Sequence, residues 1–297
     1  GPERPGAPAA IPTTDDITDI FPGGSDVVPT GLAQKISVIA ENLVVGWSGN
    51  RIAAKHVLRD LHSKSEIERF TPDSLFEYFQ SVKKETMGLD VRFAGFVMEP
   101  VNPTGFTSFG YGCELVQTAE FGEVSLMGTG SGDLLSLLGS FPEPPKILGG
   151  NPGPVDDAAS FALMLSGMLL NTELGTLESL RSYYGGGYEI AGLVYGRFQK
   201  VDQITYVFWV ARSFDAGVEI SQSPRQAFSY GYSEDILTIQ SVSFEETEEQ
   251  VSTRQCGYAI APMHREISKE TLQSVVMPSL NNKWLCNYFL SILNLAI

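Results

Sequence analysis

The chain has 297 residues, 43% of them apolar, which is enough for a substantial core in one large domain or in a domain with an extension. With 20 Lys and Arg against 35 Asp and Glu, its formal net charge is −15, which excludes the clustered cationic surface that nucleic acid requires and implies a mutually repulsive acidic surface. Three cysteines, Cys113, Cys256 and Cys286, are far apart and have neither metal-ligand spacing nor a disulfide framework, so each reads as a small buried apolar side chain in a reducing cytoplasm.

Gly1-Pro2 has the look of a pair left by removal of a tag. Pro2, Pro5, Pro8 and Pro12 deny ladder donors to any central strand, which makes residues 1–14 an arm or linker. Turn residues dominate as far as residue 31. Lys35–Ala40 and Leu43–Trp47 are β-rich runs, with Glu41-Asn42 as the turn between them. Asn50 is placed to cap a helix over 51–63, whose apolar face is Ala54, Val57, Leu58 and Leu61. A second helix over 72–85 opens on Thr71 as cap, with Pro72 and Asp73 in its first turn and Leu75, Phe79 and Val82 as its stripe. Strands are predicted over Asp90–Met98, Thr107–Thr118 and Glu123–Gly128. A small-residue corner, Gly128 to Asp133, leads into a helix at Leu134–Leu138, and a Pro- and Gly-rich loop covers 139–155.

Two helices are predicted next, over 156–171 and 173–183, ended by Gly185-Gly186-Gly187. Tyr188–Gln199 and Gln203–Ala211 read as a hairpin turning at Lys200-Val201-Asp202. Strands over 236–244 and 255–261 flank the acidic turn Glu245–Glu249. The apolar run Trp284–Ile297, broken by Asn287 and Asn294, is too short to span a bilayer and is read as a C-terminal helix docked on the core. No signal peptide and no membrane contact are expected. Strands, two helices, strands, two helices and strands in that order imply an α+β fold in which helices cover antiparallel sheets, compatible with an αββα sandwich. The division is an arm at 1–14, a core at 15–211 and a β-rich extension with the terminal helix at 212–297.

Metal and cofactor chemistry finds no footing. His56 and His62 lie six apart on one helix and do not share a face, and His264 stands alone. No nucleophile elbow, phosphate loop or dinucleotide fingerprint is present, so no cofactor is expected.

Four local patterns recur in a telling order: Lys35-Ile36-x-x-Ile39, Gly46-x-Ser48-Gly49, Gly130-Ser131-Gly132, and Gly186-Gly187 before Tyr188-Glu189-Ile190. With Asp19 on a turn sixteen residues before Lys35, the region 15–211 resembles the proteasome-like N-terminal nucleophile hydrolases. The resemblance implies the αββα sandwich. It also implies hydrolysis of an amide by a first-residue Thr, Ser or Cys whose own α-amine is the base. That amine already has an unperturbed pKa of about 7.7–8.0, and a lysine beside it lowers it further. By resemblance Lys35 is that lysine, Asp19 its ion partner, and Ser48 with Gly49 part of the oxyanion corner. Ser131 is either a further catalytic group or a helix cap, Lys35 either that lysine or a solvent-facing strand residue, and Asp19 either its partner or a turn residue.

The chain also departs from the pattern. It begins with Gly1, and the strand that would present a nucleophile falls in the proline-rich arm. The supporting Asp and Ser near the glycine pair are not both kept, whether Ser182 with Gly185 or Arg181 with Tyr184 is aligned to them. The expectation is therefore a catalytically silent member acting as a binding or assembly module, with a homo-oligomer or a protein partner implied by the resemblance. The alternative is an amide or peptide hydrolase whose nucleophile is absent from these residues or is exposed by processing, with Thr13-Thr14 as the buried cleavage point.

Overall fold

The computed structural model describes residues 11–14, 31–85, 90–98, 103–108, 114–118, 122–140, 154–214, 217–246, 251–280 and 284–292. The expectations for Asp19, for Cys113 and for the loop 141–153 lie outside these residues. The first sheet is built from β1 (Ile36–Ala40), β2 (Leu43–Gly49), β3 (Val91–Met98) and β4 (Pro103–Ser108) in that order, every pair antiparallel. Glu41-Asn42 makes the β1–β2 turn, as the sequence implied. Between β2 and β3 come α1 (Arg51–Ser65) and α2 (Pro72–Glu85).

Local chemistry starts both helices. The Asn50 side chain accepts the Ala53 amide at 3.0 Å. Thr71 and Ser74 cap α2 reciprocally, with the Ser74 amide donating to Thr71 Oγ1 and the Thr71 amide to Ser74 Oγ. Their stripes, Ala54, Val57, Leu58 and Leu61 on α1 and Leu75, Phe79 and Val82 on α2, bury together on Leu43, Val45, Trp47, Val91, Phe93 and Val97. These sheet residues keep the period of two that puts alternate side chains on one face. Val44 and Met98, of the opposite parity, bury with Phe198 on the other face.

A hairpin of β5 (Glu114–Thr118) and β6 (Gly122–Leu126) precedes α3 (Ser131–Gly139). The single predicted strand 107–118 is thus two, β4 and β5. The two predicted helices over 156–183 are instead one long helix, α4 (Pro154–Thr176), and one turn, α5 (Glu178–Arg181). The break falls at Leu177, whose φ is 56°. The hairpin after the glycines also shifts. β7 (Ala191–Val194) and β8 (Arg197–Lys200) turn at Tyr195-Gly196, with φ of 51° and 79°. Left-handed conformation at both turn residues matches strand twist, which Lys200-Val201-Asp202 does not offer.

The second sheet has the order β12-β11-β10-β9-β13, from β9 (Ile204–Phe214), β10 (Gly217–Ser233), β11 (Ile236–Glu246), β12 (Val251–Ile260) and β13 (Trp284–Ile292). A short helix, α6 (Lys269–Ser274), lies between β12 and β13. The predicted C-terminal helix is therefore corrected to a strand, parallel to β9 from Trp284↔Ile204 to Ile292↔Arg212. Trp284, Cys286 and Tyr288 pack on the core while Leu285 and Asn287 are exposed, a period of two that an apolar count conceals. On one face of this sheet α4 buries Leu163 and Leu170 against Ile204, Tyr206, Phe208, Phe228 and Tyr230. Ser166 and Tyr206 share a 2.7 Å hydrogen bond between hydroxyls, and Tyr288 donates to the Leu163 carbonyl at 2.8 Å.

The segment after β12 returns to the first layer. Met263 is buried in the α1–α2 core, and Lys55 and Arg59 of α1 pair with Glu266 at 3.0 and 3.3 Å. His264, isolated in sequence, stacks on His62 of α1 with ring centroids 3.8 Å apart. His62 Nε2 meets Ser37 Oγ at 3.2 Å, and His264 Nε2 lies 3.7 Å from Asp235. Burial, then the neighbouring His264, holds the His62 pKa down to about 3. Burial also lowers that of His264, with Asp235 opposing and Arg265 and Lys200 adding to the fall.

An imidazole kept neutral in the folded state but titrating near 6.5 when unfolded takes up a proton only on unfolding as pH falls. Stability from this pair is present above about pH 6.5 and is lost progressively toward pH 3. His62→Gln keeps a polar partner for Ser37 and does not titrate. Its melting temperature is expected to fall less than that of the unaltered chain between pH 7 and pH 4.5, and parallel pH profiles would refute the assignment.

Candidate functional site

Where β1 begins, a buried ion pair joins the two sheets. Glu189 and Lys200 meet at 2.9 Å, each side chain only 9% exposed. Glu189 Oε1 also accepts the Tyr232 hydroxyl at 2.9 Å, and Oε2 accepts the Lys35 amide at 2.6 Å. Lys200 Nζ donates to Gln34 Oε1 and lies 4.6 Å from the Tyr232 ring centroid. Gln34 Nε2 donates to the carbonyls of Asp235 and Ile260, both at 2.8 Å, while the Gln34 carbonyl accepts the Trp47 indole. Burial and the Glu189 charge push the Tyr232 hydroxyl well above its usual pKa, so it stays a donor.

Lys35 stands at the edge of this network. As a residue it is exposed, but its ammonium rests 3.4 Å from the Trp47 ring centroid. Desolvation there, then the Arg51 charge, brings its pKa down to about 8, with Glu189 opposing. Among the described residues, the carboxylate that acts on Lys35 is Glu189, which the sequence reading did not assign.

Ser48 and Gly49, assigned by resemblance to an oxyanion corner, end β2. Gly49 has φ 85°, and a Cβ there would lie 2.0 Å from the Asp90 carbonyl, so the end of β2 requires glycine. Ser48 lies beside Gly128, since a Cβ on Gly128 would come within 3.5 Å of the Ser48 Cβ. Ser131 is the first residue of α3 and is not its cap. The capping position is Gly130, without a side-chain bond. The Tyr184 ring covers Gly130, and its hydroxyl donates to Asp133. Burial and Asp133 raise the Tyr184 pKa to about 12.

Thr13 and Thr14 belong to another cluster. Thr14 donates its amide to the Ile11 carbonyl at 3.0 Å, closing a turn. Thr13 is buried and its hydroxyl donates to Glu173, which is 0% exposed. Glu173 also accepts the Gly186 amide at 2.8 Å and the Tyr188 hydroxyl at 3.4 Å. A Cβ on Gly185 would lie 2.3 Å from Glu173 Oε2. The glycine break read from the sequence therefore also forms a cradle for a carboxylate. Burial raises the Glu173 pKa, and its hydrogen bonds oppose the rise. Ser241 Oγ at 3.0 Å and Gln226 Nε2 at 3.4 Å donate to the Pro12 carbonyl, and the Tyr258 hydroxyl donates to that of Ile11 at 3.3 Å.

Sequence reasoning passed over Glu173, yet a signal existed. Leu163, Ser166, Leu170 and Glu173 are spaced by three, four and three, so the acid sits on the buried face of α4. Among the described residues, no group of three or more His, Cys, Asp or Glu is arranged to hold a metal ion, and no helix is long and apolar enough to cross a membrane. Cys256 and Cys286 are free and half-buried, and burial raises the Cys286 pKa to about 11.

Removing one partner of a buried, hydrogen-bonded ion pair leaves an uncompensated charge and typically costs about 3–5 kcal/mol. Lys200→Met is expected to destabilise by that order in chemical denaturation. Lys200→Met combined with Glu189→Gln is expected to recover part of the loss, because the remaining group is then neutral. A double variant no more stable than Lys200→Met would show that the hydrogen bonds of Glu189, and not its charge, carry the junction.

No family model, curated protein or solved structure matches the chain.

Proposed function

We propose that this is a protein of the proteasome-like N-terminal nucleophile hydrolase fold, an αββα sandwich, that is catalytically silent and serves as a binding or assembly module with copies of itself or a protein partner. One observation carries the silent reading: the candidate lysine and the candidate hydroxyl answer to different acids. Lys35 rests on Trp47 beside Glu189, while Thr13 donates to Glu173. The chemistry of such a hydrolase needs its hydroxyl, amine and lysine in one place. A panel of fluorogenic peptides and acyl-amides, with Lys35→Ala as control, is expected to give no turnover. Turnover that disappears in Lys35→Ala overturns the proposal.

A second reading, a hydrolase exposed by processing, is favoured by the surroundings of the Pro12–Thr13 bond. Thr13 Oγ1 has a carboxylate of raised pKa as acceptor, and the Pro12 carbonyl has two donors, Ser241 and Gln226. This is the arrangement of nucleophile, base and oxyanion donors. Intact mass after prolonged incubation separates the readings. An unchanged mass is expected, and loss of residues 1–12 that Thr13→Ala abolishes would establish the second.

A further inference from the structure

We propose that the groove filled by Ile11–Thr14 is a peptide-binding site, which also accepts in trans a turn-forming segment carrying an apolar residue, a proline, and a threonine or serine in that order. This rests on the binding-module reading and supplies the chemistry of the partner.

The groove is assembled from distant elements. Glu173 of α4, Gln226 of β10, Ser241 of β11 and Tyr258 of β12 all direct side-chain polar atoms to the three residues Ile11, Pro12 and Thr13. Glu173 and Ser241 are themselves buried. Each contact reads one feature. Tyr258 takes the Ile11 carbonyl, Ser241 and Gln226 take the Pro12 carbonyl, and Glu173 takes the Thr13 hydroxyl. Ile11 packs with Leu180, Leu32 and Leu177. A proline at the second position sacrifices no amide donor and arrives with φ already fixed, which lowers the entropy of ordering. Proline with its fixed φ also suits the turn that the Thr14 amide closes on the Ile11 carbonyl.

The hydroxyl is the discriminating feature. Glu173 is satisfied by the Gly186 amide and by the hydroxyls of Tyr188 and Thr13. A segment with valine in the threonine position would leave a buried carboxylate short of a donor, and sites that hydrogen-bond a hydroxyl discriminate strongly against analogues that lack it. The arm competes with any partner at an effective concentration on the order of millimolar, as tethered ligands do. A trans segment therefore gains access when the arm's own contacts are weakened.

The test is fluorescence anisotropy with a labelled peptide of residues 9–15, titrated against the full-length chain. Ile11→Ser, which removes the apolar anchor of the arm, is expected to bind the peptide about tenfold more tightly than the unaltered chain does. Thr13→Val in the full chain is a near-isosteric second variant and is expected to shift affinity the same way. The same peptide with valine in place of Thr13 is expected to bind at least about tenfold more weakly. Melting curves confirm that each variant is folded. If neither folded variant nor the unaltered chain binds the peptide, or if the valine peptide binds equally well, the groove proposal is overturned. Absence of both peptide binding and substrate turnover removes the groove alone, whereas turnover of the amide panel removes the binding-module reading itself.

Discussion

The Glu189–Lys200 pair is the constraint on which the described architecture hinges. Its partners reach the start of β1 through Lys35 and Gln34, the β7–β8 hairpin through Lys200, and the β10–β11 hairpin and the end of β12 through Tyr232, Asp235 and Ile260. A buried ion pair is not in itself a strong source of stability, because desolvation offsets the attraction. This pair is hydrogen-bonded on both sides, so it functions as a registration device. A relative shift of these elements would leave a charge or the Gln34 amide without its partner.

The other buried acid, Glu173, is organised differently. Amide and hydroxyl donors take the place of a cation, and desolvation raises its pKa. Loss of a donor would raise it further. The two acids thus divide the residues that the resemblance would have drawn into one centre. Lys35 is held at the sheet junction, and Thr13 is held against α4.

The return of the chain from β12 to α1 adds a third tie, made by Met263, by the pairs of Lys55 and Arg59 with Glu266, and by the His62–His264 stack. The surface ion pairs contribute little, since solvent screens them. Met263 and the stacked rings carry the contact, and the rings make it sensitive to pH.

The sequence by itself determined what depends on neighbours along the chain. The Asn50 and Thr71 caps, the stripes of α1 and α2, the Glu41-Asn42 turn and the glycine break at 185–187 all follow from interactions within a few residues. Tertiary structure decided the rest. Trp284–Ile292 is a strand because β9 offers it a parallel edge, and no local signal marks a parallel partner some eighty residues away. Likewise, nothing near His62 in sequence announces His264, and nothing near Thr13 announces Glu173, since each pair meets only when distant elements pack. Short-range periodicity encodes helices, turns and faces. The environment of a charge is set by whatever the folded chain brings around it, so which acid governs Lys35 and which governs Thr13 is a property of the fold alone.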